Sequence, residues 1–344
     1  MPRLWPALAA AACLLAPALA AASAIDLHLH LPMIEEQVRL EDLKAADMRL
    51  VVVPLYATPV LSQLRGGNVR ALLRQIAQVE RWAAKDPRVA IVRTPDEAEA
   101  ALKSKEWRLG VILAVEGAGG ADTEERLDRL WDRGVRMLTI AHFVDTRWGG
   151  AAKVRYWPWA TCVPGGKADE RRNPRGLSPE GERLSDYAVR KGLILDLSHA
   201  SDKTAFDLAR RHPGLPLMFS HTAARELTPC ERTTPPELLR EVKRSGGMAG
   251  LALAANYAGR DRASLRRHAA ALAREAGPEA VALGSDFNGV IGLIDGVPGP
   301  SAYALVLKEL AAAGIPATAG AESFVRFWRR TEAASGARSR TRRP

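Results

Sequence analysis

The sequence predicts a (β/α)8 barrel. Eight short apolar runs recur along the chain, and amphipathic stretches of helical period lie between them. Alternation of that kind implies a parallel sheet, and eight strands is the number that closes into a barrel. Five of the seven histidines also fall at the ends of these runs, where such barrels carry their chemistry. The chain has 344 residues and is 47% hydrophobic, enough for a large core and too much for a disulfide minidomain or a mostly disordered chain.

The elements follow in order. Arg3, an apolar stretch and Ala22-Ser23-Ala24 have the form of an n-region, an h-region and a cleavage site. Residues 1–24 therefore read as a secretory signal peptide, and the mature protein as exported, periplasmic or secreted. Pro17 and the many small residues argue against a membrane span. Cys13 follows three alanines rather than the leucine-led box of a lipoprotein, which argues against a lipid anchor. The first strand is 24–30 and carries His28 and His30; the second is 50–55, followed by a helix at 69–84. The third, 111–115, ends at Glu116, and a helix at 124–133 is capped by Thr123. The fourth, 135–141, runs into His142, and the Pro/Gly/Trp-rich stretch 146–174 reads as a loop over one face. Ser178 caps a helix at 179–191, the fifth strand 193–198 reaches His199, and Ser201 caps a helix at 202–211. The sixth strand, 217–220, reaches His221, and a helix at 235–245 precedes the seventh strand at 248–253. A helix at 264–275 then leads to the eighth strand at 280–284, just before Asp286. Residues 25–330 make the barrel domain; residues 331–344, with Arg338, Arg340, Arg342 and Arg343, read as a basic disordered tail.

A doubly wound sheet is the competing architecture, but no G-x-G-x-x-G opens a helix after a strand. The Gly117–Gly120 stretch lacks the Lys and Ser/Thr of a phosphate loop. The net charge of +10 is spread among acidic residues along helix faces, so no nucleic-acid stripe emerges. Cys162 and Cys230 remain after processing, and an oxidising compartment would allow them to pair.

One histidine at a strand end is ordinarily a hydrogen-bonded core residue. Five on four strand ends, with Glu116 and Asp286 in equivalent positions, would all meet at one barrel face. His28 and His30 are two apart and share a side of their strand. With Glu116, His199 and His221 they supply four imidazoles and a carboxylate able to bridge, enough for two divalent cations. Two metals roughly 3.5–4 Å apart can share a hydroxide that attacks a carbonyl, so the reaction class is metal-assisted hydrolysis of an amide-like bond. Serine catalysis is set aside because there is no G-x-S-x-G. Cysteine catalysis would need Cys162 or Cys230, both oxidisable in the same compartment.

Several stretches resemble the membrane (renal-type) dipeptidases, peptidase family M19, within the amidohydrolase barrel group. They are DLHLHLP at 26–32, VEG at 115–117, RMLTIAH with DTRW across 136–148, and GLSPEGERLSDYAVRKGLILDLSHAS at 176–201. MFSHTAAREL at 218–227 and LGSDFNGV at 283–290 continue the series in family order. The resemblance implies two zinc ions per chain: His28 and the residue at position 30 on one, His199 and His221 on the other, with Glu116 bridging. It implies that His142 contacts substrate and stabilises the tetrahedral intermediate, and that Asp286 lies near the bridging water and the substrate amine. It implies that Arg232 grips the C-terminal carboxylate, assisted by Tyr257. The implied activity is hydrolysis of dipeptides, with a D-residue tolerated at the second position and β-lactams within reach. A homodimer is the assembly it admits. The chain departs from the pattern at His30, where Asp is usual, at Asn288, where a second Asp is usual, and in CERTT after the sixth strand.

Three functions compete. A dizinc dipeptidase needs partners for both ends of a short zwitterion, and Arg232 and Asp286 supply them. Another amidohydrolase on the same barrel would cleave an N-acyl amino acid, a lactone or a cyclic imide. An inactive metal-bearing periplasmic binding protein would keep the ligands but lose His142 or Asp286, and neither is lost.

Overall fold

The computed structural model describes residues 24–30, 39–56, 69–152, 162, 171–290, 292–316 and 319–336. Their sheet has nine parallel strands: β1 (Ala24–Asp26), β2 (Met48–Tyr56), β3 (Val89–Ile91), β4 (Leu109–Glu116), β5 (Val135–Thr139), β6 (Ile194–Asp196), β7 (Met218–Thr222), β8 (Met248–Leu251) and β9 (Val281–Leu283). Eight of them close the barrel, running from β1 through β2 to β4, on to β9 and back to β1. The predicted (β/α)8 architecture is the one formed.

The ninth strand is an addition to the sequence-based expectation. β2 pairs with β4 from Gly110 to Glu116 and takes the whole of one edge. The other edge of β4 is divided, its start pairing with β3 and its end with β5. Three residues are too few to show a period, which is why β3 escapes a reading of the pattern.

The first strand is also shorter than expected. Regular pairing ends at Asp26, and the His28 N–H turns back to Asp26 Oδ1. Leu27 N–H donates to Leu283 O, Leu29 N–H to Val52 O and His30 N–H to Phe287 O. His28 and His30 thus lie just beyond the regular end of β1.

The predicted helices form with their expected caps. Thr123, Ser178 and Ser201 accept the N–H groups of Arg126, Gly181 and Thr204 through their hydroxyls. Each such cap satisfies an otherwise orphaned helix donor and is worth about 1 kcal/mol.

Two apolar layers surround the sheet. One lies between strands and helices. The other fills the barrel at the strands' N-terminal ends, where Ile25, Leu50, Ile194, Met218 and Met248 pack on Phe324, Phe327 and Trp328 of the last helix (Ala319–Ala334). That helix corrects the tail boundary, because it runs past residue 330. Thr331 is buried in it with its hydroxyl on Phe327 O. The four tail arginines and residues 1–23, including Cys13 and all of the leader but Ala24, lie outside the described residues. Most of the loop at 146–174 does too, but Cys162 is described and is disulfide-bonded to Cys230.

Candidate metal centre and substrate pocket

With one end of the barrel plugged by apolar side chains, the polar residues collect at the other. Side chains two apart on a strand share a face. Thr139, Asp196 and Ser220 each follow, by two positions, an apolar residue of the interior cluster: Met137, Ile194 and Met218. They form a buried polar layer above the plug. Glu116 likewise follows Ile112 and Ala114 inward. Gly250 and Gly284 make room in this layer, since a Cβ on either would lie 1.9 Å from Ser220 O.

Glu116 is the hub of what stands above. Its Oε1 lies 3.3 Å from His28 Nε2, 3.4 Å from His199 Nε2, 3.6 Å from His221 Nε2 and 3.7 Å from His142 Nε2. Its Oε2 lies 3.5 Å from His30 Nε2. The imidazoles also face one another in pairs: His28 and His30 with Nε2 atoms 3.2 Å apart, His199 and His221 with theirs 2.9 Å apart. Two ligands at about 2.0–2.1 Å from a tetrahedral cation lie about 3.3 Å from each other. Both pairs, each with a Glu116 oxygen, fit that spacing. Arg232 can only donate, and its Nη2 lies 3.2 Å from His199 Nε2, so that nitrogen presents a lone pair. His28, His30 and Glu116, and separately Glu116, His142 and His199, form compact candidate metal groups, as do His28, His221 and Asp286.

The electrostatics agree with a cation-binding role. Burial alone would raise the Glu116 carboxyl, but His142, His28 and His199 around it hold it well below the usual range. Burial lowers His199 and His221, reinforced by Arg232 and the neighbouring imidazoles, which keeps both neutral as a metal ligand must be. Burial pulls His142 down to about 4. His28 differs: burial lowers it, yet the Glu116 charge and hydrogen bond bring it above the ordinary value.

The other expected residues join this cluster. Asp286 Oδ1 is 3.3 Å from His30 Nε2. Arg232 is 4% exposed and donates through Nη1 to His221 O, while its buried Nε has no partner. The ring of Tyr257 lies under the guanidinium, 4.9 Å from its carbon. His142 Nδ1 is the other buried atom of the site without a partner. Thus all nine residues singled out by sequence meet at one mouth. Two of the departures from the family pattern also touch each other, because Asn288 Nδ2 donates to His30 O. An ionised Asp at 288 could not make that bond.

Sequence reading passed over Tyr56, Phe143 and the polar layer. Tyr56 ends β2 opposite Glu116 and meets the His142 ring edge-on at 4.9 Å. Burial and the Glu116 charge push its hydroxyl up to about 12. Phe143 packs on His142 and His199. Backbone strain marks the same mouth. Among the described residues five non-glycines have positive φ, and Phe143, His199, Asp286 and Asn288 are four of them. Left-handed backbone at such residues is costly and tends to collect at working sites.

Comparison with known proteins agrees with this geometry. The chain is 32% identical over 230 residues to an uncharacterized dipeptidase, C965.12, of Schizosaccharomyces pombe, covering 64% of this chain and 52% of that one. It is 28% identical over 253 residues to dipeptidase 3 of Rattus norvegicus, covering 70% and 47%. The chain thus spans about half the length of the curated relatives it matches. Among solved structures, the dipeptidase AC, a metallo peptidase of family M19, superposes with a TM-score of 0.75 at 20% identity, over 90% of this chain and 99% of that one. A metallo peptidase from Rhodobacter sphaeroides, liganded with a phosphinate mimic of the dipeptide L-Ala-D-Ala, gives 0.73 at 20% identity over 90% and 99%. The family model for membrane dipeptidase (peptidase family M19) matches residues 15–341, and the chain belongs to that family.

Proposed function

We propose that the protein is a zinc-dependent dipeptidase that hydrolyses the peptide bond of short dipeptides. His28 and His30 would hold one zinc, His199 and His221 the other, and Glu116 would bridge them. Two cations there would supply Lewis acidity toward the scissile carbonyl and a water acidic enough to attack near neutral pH. The observation that carries the reading is a buried guanidinium with an unpartnered Nε beside the imidazole–carboxylate cluster. A cation-binding cluster alone fits many hydrolases; a buried Arg adjoining it fits a substrate that ends in a carboxylate.

The chain's own residues then have distinct tasks. Arg232 binds the terminal carboxylate through its free edge, and Tyr257 supports the guanidinium face. Asp286 receives the substrate's ammonium group at the opposite side of the cluster. His142, neutral at working pH, donates a hydrogen bond to the oxygen that gains charge. The leader at 1–24 would direct the chain out of the cytoplasm, and the Cys162–Cys230 bond suits an oxidising compartment. No helix among the described residues is long and apolar enough to cross a membrane.

Zinc-reconstituted full-length protein, assayed against dipeptides, N-acyl amino acids and lactones with metal content measured alongside, tests the proposal. Dipeptides should be turned over fastest at close to two zinc ions per chain. Faster turnover of an N-acyl amino acid or a lactone would overturn it.

A further inference from the structure

The polar layer beneath the cluster contains an arrangement that the proposed reaction does not use. Ser220 Oγ lies 3.1 Å from His28 Nδ1 and 2.8 Å from His221 Nδ1. One hydroxyl therefore touches the inner nitrogen of an imidazole from each of the two pairs, and the two rings stack with centroids 3.7 Å apart. A serine hydroxyl has a single proton to give. Here it points to Asp196, whose Oδ2 is 2.7 Å away. Asp196 accepts from every side. Its Oδ1 takes Ser198 N–H, Ser198 Oγ–H and Ser220 N–H, and its Oδ2 also takes Thr139 Oγ–H.

We propose that Ser220, oriented by Asp196, is a positioning residue that fixes which nitrogen of His28 and of His221 carries the proton. With its own proton on Asp196, Ser220 Oγ can only accept from both rings. Both imidazoles then hold hydrogen on Nδ1 and present a bare Nε2 to the cluster, as cation ligation requires. A single hydroxyl thus prepares one ligand at each of the two positions. This inference rests on the ligand roles proposed above, and its test separates the two.

Zinc affinity and stoichiometry are measured on the full chain by competition with a chromophoric chelator. Ser220→Ala leaves both Nδ1–H groups without an acceptor and should weaken zinc binding about 10- to 100-fold. Thr139→Val removes a different hydroxyl from the same carboxylate but touches no histidine, and should stay within about threefold of the parent. Asp196→Asn is the sharper variant. The two backbone N–H groups on Oδ1 cannot reverse, so the new amide nitrogen must take the Oδ2 place and donate to Ser220 Oγ. The serine proton then moves to His28 or His221, that ring carries its own proton on Nε2, and one of the two zinc equivalents should be lost.

Equal affinity in Ser220→Ala and Thr139→Val would overturn the proposal, since it would leave only a generic packing role. The proton placement is also read directly in metal-free protein, from 15N spectra of labelled histidine assigned with His28→Gln and His221→Gln, at a pH raised from about 8 until the shifts of both rings are those of neutral imidazole. Hydrogen on Nδ1 of both rings is expected, and hydrogen on Nε2 of either overturns the proposal. If the parent takes up no zinc, the ligand assignment fails by itself, and the 15N spectrum still decides the role of Ser220.

Discussion

Replacing Arg232 by Met tests the pocket most directly. The guanidinium has three donor nitrogens. Nη1 is committed to His221 O, Nη2 leans on His199 Nε2, and Nε has no partner while buried. A cation on His199 would take the lone pair that Nη2 now uses, leaving Nε and Nη2 as a two-pronged edge for a carboxylate. Truncating one partner of a buried charge-assisted pair costs about 2–5 kcal/mol, or roughly 30- to 4,000-fold in kcat/KM at about 1.4 kcal/mol per tenfold. Part of any loss would come from the His221 carbonyl bond rather than from substrate. A cycle removes that part: Gly-Leu and Gly-Leu-amide are each assayed with parent and Arg232→Met protein. The parent should prefer the free acid by a factor in that range, and the variant should treat both alike. A preference for the free acid that survives the substitution would refute the assignment of Arg232 to the carboxylate.

Three further outcomes follow from the same geometry. Glu116→Gln removes the only carboxylate among the described residues within 4 Å of both imidazole pairs, so bound zinc should fall to about one per chain or fewer and activity by about a hundredfold or more, as elemental analysis and rate assays would report. Gly289→Ala would place a Cβ 2.2 Å from Asp286 Oδ1 and 2.5 Å from His30 Nε2, so activity and zinc content should drop together at a stability cost of about 1–3 kcal/mol, with circular dichroism unchanged. His268 is buried outside the histidine–carboxylate cluster and held down to about 4, chiefly by burial, with Nδ1 accepting Ala224 N–H. Between that value and the ordinary 6.5 the unfolded chain binds the extra proton, so stability is full above about pH 6.5 and is lost as pH falls toward 4. The loss should be about 2 kcal/mol between pH 7 and pH 5, and urea unfolding of His268→Gln should lack it.

Much of this was legible in the residues themselves. Helix starts were readable because Thr123, Ser178 and Ser201 cap through bonds only three residues long. The barrel was readable because buried parallel strands must be apolar on both faces, which leaves eight conspicuous runs. The five strand-end histidines and Glu116 stood out because ionisable groups are rare beside such runs. The short strand Val89–Ile91 was not legible, and neither was the helical continuation past residue 330, where burial of Thr331 decides the boundary.

The fold class and the nine residues gathered at the mouth follow from local pattern and side-chain type, which the order of amino acids already carries. Which residues stand behind them depends on how the chain closes. Tyr56 meets His142 from two strands away, Asn288 reaches His30 from the neighbouring strand end but 258 residues along the chain, and Ser220 touches two histidines at once. A serine, a tyrosine or an asparagine is unremarked in a sequence because its hydrogen-bonding capacity is common. What gives it a role is the direction in which its proton points, and that direction is set by partners brought near only when the chain closes on itself.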